Sequence, residues 1–272
     1  MPAETIKTIL RFFGLTYLIS WTPWLSAVAL GLSTESPFGV ACVAVGGIGP
    51  AAAAVIMLRA YGDSTARQDY LRRLRPGLIG PAWYGLIFLL PVLFAAAAVF
   101  ISLPFGGTLR QLVPLEKFLE NPLSLLSFAL FVLFFGPVTE ELGWRGYGLD
   151  ALRNRFNGLT ASLVLAAAWA LWHVPLFFIE GYPLREMALG PVQLAGYFSD
   201  FFPKCVIYTW IFYRTGRSTL SAILFHFMSN YTGMVIEIGP LAEGIQVAAL
   251  YGFAVIVVFA NRRIFFGNKL FR

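Results

Sequence analysis

The chain has 272 residues, 58% hydrophobic and 12% charged, with a net charge of +6 and a mean hydropathy of +0.73. Soluble domains carry about 25% charged residues. Half that share, with 26 Phe and 7 Trp, excludes an ordinary soluble domain and points to a polytopic, all-α integral membrane protein.

A spanning helix needs about 20 mostly apolar residues. Eight stretches qualify in chain order: 9–32, 38–58, 82–103, 123–139 with an extension, 159–179, 192–212, 219–238 and 245–260. The first is too long for the apolar core of a signal peptide. It also carries Trp21, Pro23 and Trp24 with no clear cleavage site after it, so it reads as a helix. Trp21, Trp24, Trp83 and Tyr84 fall near the ends of these stretches and suit an interfacial belt. Cys42 and Cys205 lie within apolar runs, giving no disulfide framework and no zinc spacing, and read as small buried hydrophobes. With no repeat, low-complexity tract or linker, residues 1–272 form a single membrane domain.

Eight spans place both termini on one side, together with the second–third, fourth–fifth and sixth–seventh loops. Those segments hold 16 of the 20 basic residues, among them Arg11, Arg73, Arg155, Arg217, Lys269 and Arg272. The opposite loops hold Arg110, Lys117 and Arg185, and Lys204 lies within the sixth span. The positive-inside rule then sets both termini in the cytoplasm. This distribution accounts for the net charge without a nucleic-acid partner. The partners expected are membrane lipid and a substrate within it.

The fourth stretch, free of charge from Leu123 to Phe135, runs into "GPVTEELGWRG", with Glu140 and Glu141 adjacent. A carboxylate in hydrocarbon is costly and is retained for function or as half of an ion pair. If the fourth helix continues to about Arg153, Glu140 lies 13 residues from its end. His173 is 13 residues from Thr160, and His226 is 9 beyond Arg217. At 1.5 Å per residue these depths are roughly 20, 20 and 14 Å, so three helices bring polar groups to a similar level. The two histidines are the whole histidine content of the chain. Glu141 and Arg145 are at i, i+4 and can pair, while Glu140 is turned about 100° away. His226 and Asn230 also share a face at i, i+4. A carboxylate with an imidazole can hold and deprotonate a water, and an imidazole with a carboxamide can donate to an oxyanion. The set suffices to hydrolyse an amide without a covalent intermediate.

"EELGWR" (Glu140 to Arg145), "WALWH" (ending at His173) and "HFMSN" (His226 to Asn230) resemble, in order, the EExxxR, FxxxH and HxxxN motifs of the CAAX prenyl endopeptidase and bacteriocin-processing family of intramembrane glutamate-type proteases. The likeness covers roughly residues 120–235. Trp169 stands where the family usually has Phe and keeps an aromatic there. The resemblance implies that Glu140 and His173 position and activate a water and that His226 and Asn230 stabilise the tetrahedral oxyanion. Glu141 and Arg145 would hold the fourth helix, with Glu141 open to a share in the chemistry. It suggests a peptide or lipidated-protein substrate such as a prenylated CAAX-type tail; no cofactor is expected, and the expected location is multi-pass in a bacterial or archaeal plasma membrane.

Other readings stand beside this one. Glu141–Arg145 is equally an ion pair that fixes a helix end, and His226–Asn230 can be polar glue between helices. His173, Glu140 and His226 could supply three metal ligands, although Asn230 is a poor zinc ligand and a good oxyanion donor. Asp200 and Lys204, at i, i+4 around Pro203, neutralise each other or line a substrate path. A non-catalytic immunity or scaffold protein could keep the same motifs. A transporter would spread its polar groups along a path instead of clustering them at one depth.

Overall fold

A computed structural model describes residues 2–109, 120–187, 190–236 and 238–267. Arg110, Lys117, Lys269 and Arg272, which entered the charge count above, lie outside the described residues. The described residues are almost wholly helical. The helices are α1 (Pro2–Ala29), α2 (Pro37–Gly47), α3 (Gly49–Tyr61), α4 (Ser64–Arg72), α5 (Pro81–Ser102), α6 (Pro122–Phe134) and α7 (Pro137–Gly143). They continue as α8 (Leu149–Arg153), α9 (Gly158–Trp172), α10 (Pro183–Met187), α11 (Pro191–Arg214), α12 (Thr219–Val235), α13 (Pro240–Ala260) and α14 (Arg262–Phe266).

Helix starts follow local chemistry. Proline stands in the first turn of α2, α3, α5, α6, α7, α11 and α13, where its missing N–H costs nothing. The side chains of Ser36, Asp63, Asn121, Asn157 and Ser218 each accept from a backbone N–H three residues on and cap α2, α4, α6, α9 and α12.

Each of the eight expected stretches coincides with a helix or a pair of helices. Among the described residues, four stretches are long and apolar enough to cross a membrane: Pro81–Phe105, Leu123–Arg153, Gly158–Phe178 and Pro240–Ala260. The pair Pro37–Gly47 and Gly49–Tyr61, bent by 43°, adds a fifth if it is one span. The polar residues of α1 and α11 dilute their hydropathy, and α12 has only 17 residues. Large apolar side chains such as Leu89, Phe100, Leu130, Ile256 and Phe259 are exposed on the outer faces of α5, α6 and α13, as lipid-facing surfaces require.

Three sequence expectations are corrected. The fourth helix is not continuous: α6 stops at Phe134, Gly136 takes φ −173° and ψ −84°, and Pro137 begins α7. Proline has no N–H to continue the ladder of α6. Beyond α7, Trp144–Gly148 forms a π-helical turn before α8, a feature that often marks functional positions. Secondly, Trp24 is not interfacial. It is 1% exposed, donates to Val43 O at 3.1 Å and packs on Trp172 with ring centroids 4.7 Å apart. Thirdly, Cys42 is only half-buried, whereas Cys205 is fully buried.

The helix α7 packs between α3 and α12 and against α6, while α9 packs on α11, α11 on α13, and α5 on α12 and α13. Approach of α3 to α7 depends on Gly143: a Cβ there would lie 2.4 Å from the Pro50 backbone. At one end of the bundle, Arg73 Nη1 meets Asp150 Oδ2 at 2.7 Å and the Gly146 carbonyl at 3.2 Å, tying α4 to the π-turn and α8. Asp69 pairs with Arg72 at 2.8 Å and also with Arg73, while Arg217 pairs with Asp150. Tyr70 on α4 donates to Leu142 O at 3.0 Å. Burial pushes its hydroxyl up to about 12, against a smaller opposing effect of Arg73, so it remains a donor at physiological pH.

Candidate active site

The break at Gly136 places Glu140 in the first turn of α7, where its backbone N–H bonds to Gly136 O at 2.9 Å. A carboxylate there is favoured by the helix dipole. Glu141 follows it but points away, behind the site, and is fully buried. Arg145 Nη1 donates to its Oε1 at 2.8 Å and Oε2 at 3.1 Å, as the i, i+4 spacing predicts. The guanidinium also donates from Nη2 to Cys205 Sγ at 3.0 Å. It lies over the rings of Tyr208 (4.4 Å) and Trp169 (4.9 Å). A planar, delocalised cation suits this aromatic sleeve, where an ammonium would not.

His173 caps α9 and is followed by the 3₁₀ segment Val174–Phe178, because Pro175 disfavours further α-helix. Its Nδ1 lies 2.9 Å from Trp169 O. Since a carbonyl can only accept, Nδ1 carries the proton, and Nε2 of the neutral ring is the lone-pair nitrogen. On α12, His226 Nδ1 lies 2.9 Å from Glu141 Oε1. Against a carboxylate this nitrogen is again the donor, and Nε2 of His226 is left for the cavity.

Trp169 is more than the packing aromatic suggested by the sequence. Its indole Nε1 donates to Glu140 Oε2 at 2.6 Å, a short, charge-assisted bond that a phenylalanine could not make. Its ring packs 5.1 Å from His226 and 4.8 Å from Phe201.

A cavity of about 410 Å³ lies between these helices, within the size range of small-ligand sites. Glu140, Trp169, His173, His226 and Asn230 all line it, and aromatic and aliphatic side chains such as Phe131 and Phe135 form the rest of its wall. Glu141 and Arg145 do not line it. The residues expected from the sequence therefore separate into a cavity-facing set and a supporting ion pair. The sequence reading missed one wall: Tyr197, Phe201 and Tyr208 on α11 pack on the two histidines, with Phe201 5.2 Å from His173 and Tyr208 5.7 Å from His226. Their signal was the spacing of aromatics at 197, 201 and 208 on one helix face. Among the described residues, no three His, Cys, Asp or Glu side chains gather closely enough to hold one metal ion.

An apolar helical bundle thus brings a carboxylate, two imidazoles and a carboxamide to the wall of one internal cavity. Residues 122–232, which contain the whole cluster, match the family described as Type II CAAX prenyl endopeptidase Rce1-like. The chain is also 26% identical over 260 residues to CAAX prenyl protease 2 of Methanococcus maripaludis, covering 94% of each chain. The resemblance drawn from the three motifs is thereby borne out: the same stretch of chain that carries them is similar to CAAX-type membrane proteases.

Proposed function

We propose that this protein hydrolyses a peptide bond within the bundle by means of a water activated by Glu140 and His173. The observation that carries the reading is that four polar side chains from three helices line one cavity, while Glu141 and Arg145 lie behind it. Glu140 Oε2 is held by Trp169, which leaves Oε1 to accept from a water. The lone pair of His173 Nε2 can accept its other proton. The water oxygen then bonds to the scissile carbonyl carbon, one proton passes to Glu140, and charge develops on the carbonyl oxygen. Asn230 Nδ2 and an imidazolium His226 would donate to that oxygen, with Glu141 balancing the charge on the ring. Collapse breaks the C–N bond, and Glu140 returns its proton to the departing amine nitrogen. Preorganised donors of this kind act strongly in a site that excludes water.

The substrate that best fits is a C-terminal tail delivered from the membrane, prenylated in the manner implied by the relative's name. The mechanism uses no metal. Eight spans with cytoplasmic termini remain the topology that the charge distribution supports. The test is to incubate purified protein with prenylated and unprenylated CAAX peptides, each with and without a strong chelator. Cleavage of the prenylated peptide unaffected by chelation is expected. Loss of activity together with stoichiometric zinc would move Glu140, His173 and His226 into ligand roles.

A further inference from the structure

Lys204 is the lone lysine or arginine among the described residues lining the cavity. It sits on α11 one turn from Phe201, which packs on His173 and Trp169, and one turn from Tyr208, which packs on His226. Its Cα is therefore at the level of the two imidazoles, on the same helix face as residues that touch both. An ammonium inside an apolar bundle is costly and calls for a use.

Lys204 is paired with Asp200, and its side chain, 30% exposed, lines the cavity. The pair is lopsided: Asp200 Oδ2 meets the ammonium, whereas Asp200 Oδ1 is buried without a hydrogen-bond partner. The contact with Oδ2 uses one of the three ammonium donors, which leaves two for another acceptor. The same two residues also line an adjoining cavity of about 330 Å³ between α5, α11, α12 and α13, where Glu243 and Gln246 add polar groups to apolar walls. The two cavities share Tyr197, Asp200, Lys204, Ser229 and Gly233, so Lys204 stands at their junction.

We propose that Lys204, oriented by Asp200, receives the free C-terminal carboxylate of the peptide substrate. It thereby fixes how many residues separate the chain end from the bond presented to Glu140. This rests on the proteolytic reading above and adds a specificity-determining residue to it. A carboxylate is the anion that a C-terminal tail brings into such a site, and a charge-assisted bond in a water-poor cavity gives both affinity and register.

The test compares two farnesylated CAAX-type peptides, identical except that one ends in a free carboxylate and the other in a carboxamide. Both are assayed with the full-length protein and with Lys204→Gln and Lys204→Arg. The wild type should prefer the carboxylate about ten- to hundredfold in kcat/KM, the range for a hydrogen bond to a charged group, with most of the difference in KM. Lys204→Gln should lose that preference while cleaving the carboxamide as the wild type does, and Lys204→Arg should keep much of it. Equal cleavage of the two peptides by the wild type overturns the proposal. So does a Lys204→Gln protein that loses both activities in proportion, because that marks a structural role. Cleavage of neither peptide by the wild type refutes the proteolytic reading itself, an outcome distinct from the other two.

Discussion

Removing the guanidinium in Arg145→Ala should reveal whether Arg145 neutralises a buried carboxylate or contributes no more than an ordinary polar contact in a membrane bundle. The substitution deletes two bonds to Glu141, at 2.8 and 3.1 Å, and the contact to Cys205. It also empties the sleeve between Trp169 and Tyr208. Glu141 is 0% exposed and would keep only His226 as a partner. Polar contacts between membrane helices average about 0.6 kcal/mol in double-mutant cycles, because the unfolded chain in the membrane finds other partners. Stripping one partner from a buried ion pair costs about 3–5 kcal/mol. For a chain of this length the larger figure lowers the melting temperature by on the order of 10 °C. The assay is thermal unfolding in one detergent for wild type, Arg145→Ala, Glu141→Gln and the double variant. The neutral carboxamide introduced by Glu141→Gln can still accept from His226, so the double variant leaves no orphaned carboxylate and should melt above Arg145→Ala. An Arg145→Ala protein that melts with the wild type, or a double variant no better than the single, would show that Arg145 does not neutralise a buried carboxylate.

Asn230→Ala removes one proposed oxyanion donor, so single-turnover cleavage should fall by about 10²–10³ with substrate affinity little changed. Gly143→Ala places a methyl 2.4 Å from the Pro50 backbone, so α3 and α7 must separate. Lower thermal stability and lost activity are expected together, and wild-type melting would show that the helices adjust. Reporter fusions after Arg75, Arg155 and Arg217 should signal the cytoplasm, and those after Glu35, Glu120 and Glu243 the opposite side. A reversed signal after Arg155 or Arg217 would remove the eight-span arrangement.

The helical stretches were legible because an uninterrupted apolar run long enough to cross a bilayer leaves few alternatives. The cluster was legible through three spacings: Glu140–Glu141–Arg145, the lone histidines, and His226–Asn230. What stayed hidden was set by backbone breaks and by long-range packing. Gly136 and Pro137 could have been read as a stop and restart, but the charge-free run before them and the i, i+4 pair after them favoured one straight helix. The same pair survives because α7 passes through Glu141 and into the π-turn at Trp144 without losing that face. Trp24 shows the opposite case: its place near a span end suggested the interface, and only the approach of Trp172, 148 positions away in sequence, makes it core. The bond from Trp169 to Glu140 joins α9 to α7 across 29 residues, and no local pattern encodes it.

If the carboxylate of Glu140 activates the water, Glu140→Gln should abolish hydrolysis without disturbing the fold. Glutamine can still accept from the Trp169 indole, so the helix should stay in place and the thermal stability should match the wild type. The measurement is single-turnover cleavage of a farnesylated CAAX-type peptide by wild type and Glu140→Gln from matched preparations. Cleavage at background with normal melting is expected, and a variant that still cleaves within about tenfold of the wild type, far short of the 10²–10⁴ attributed to a general base, would rule out Glu140 as the base.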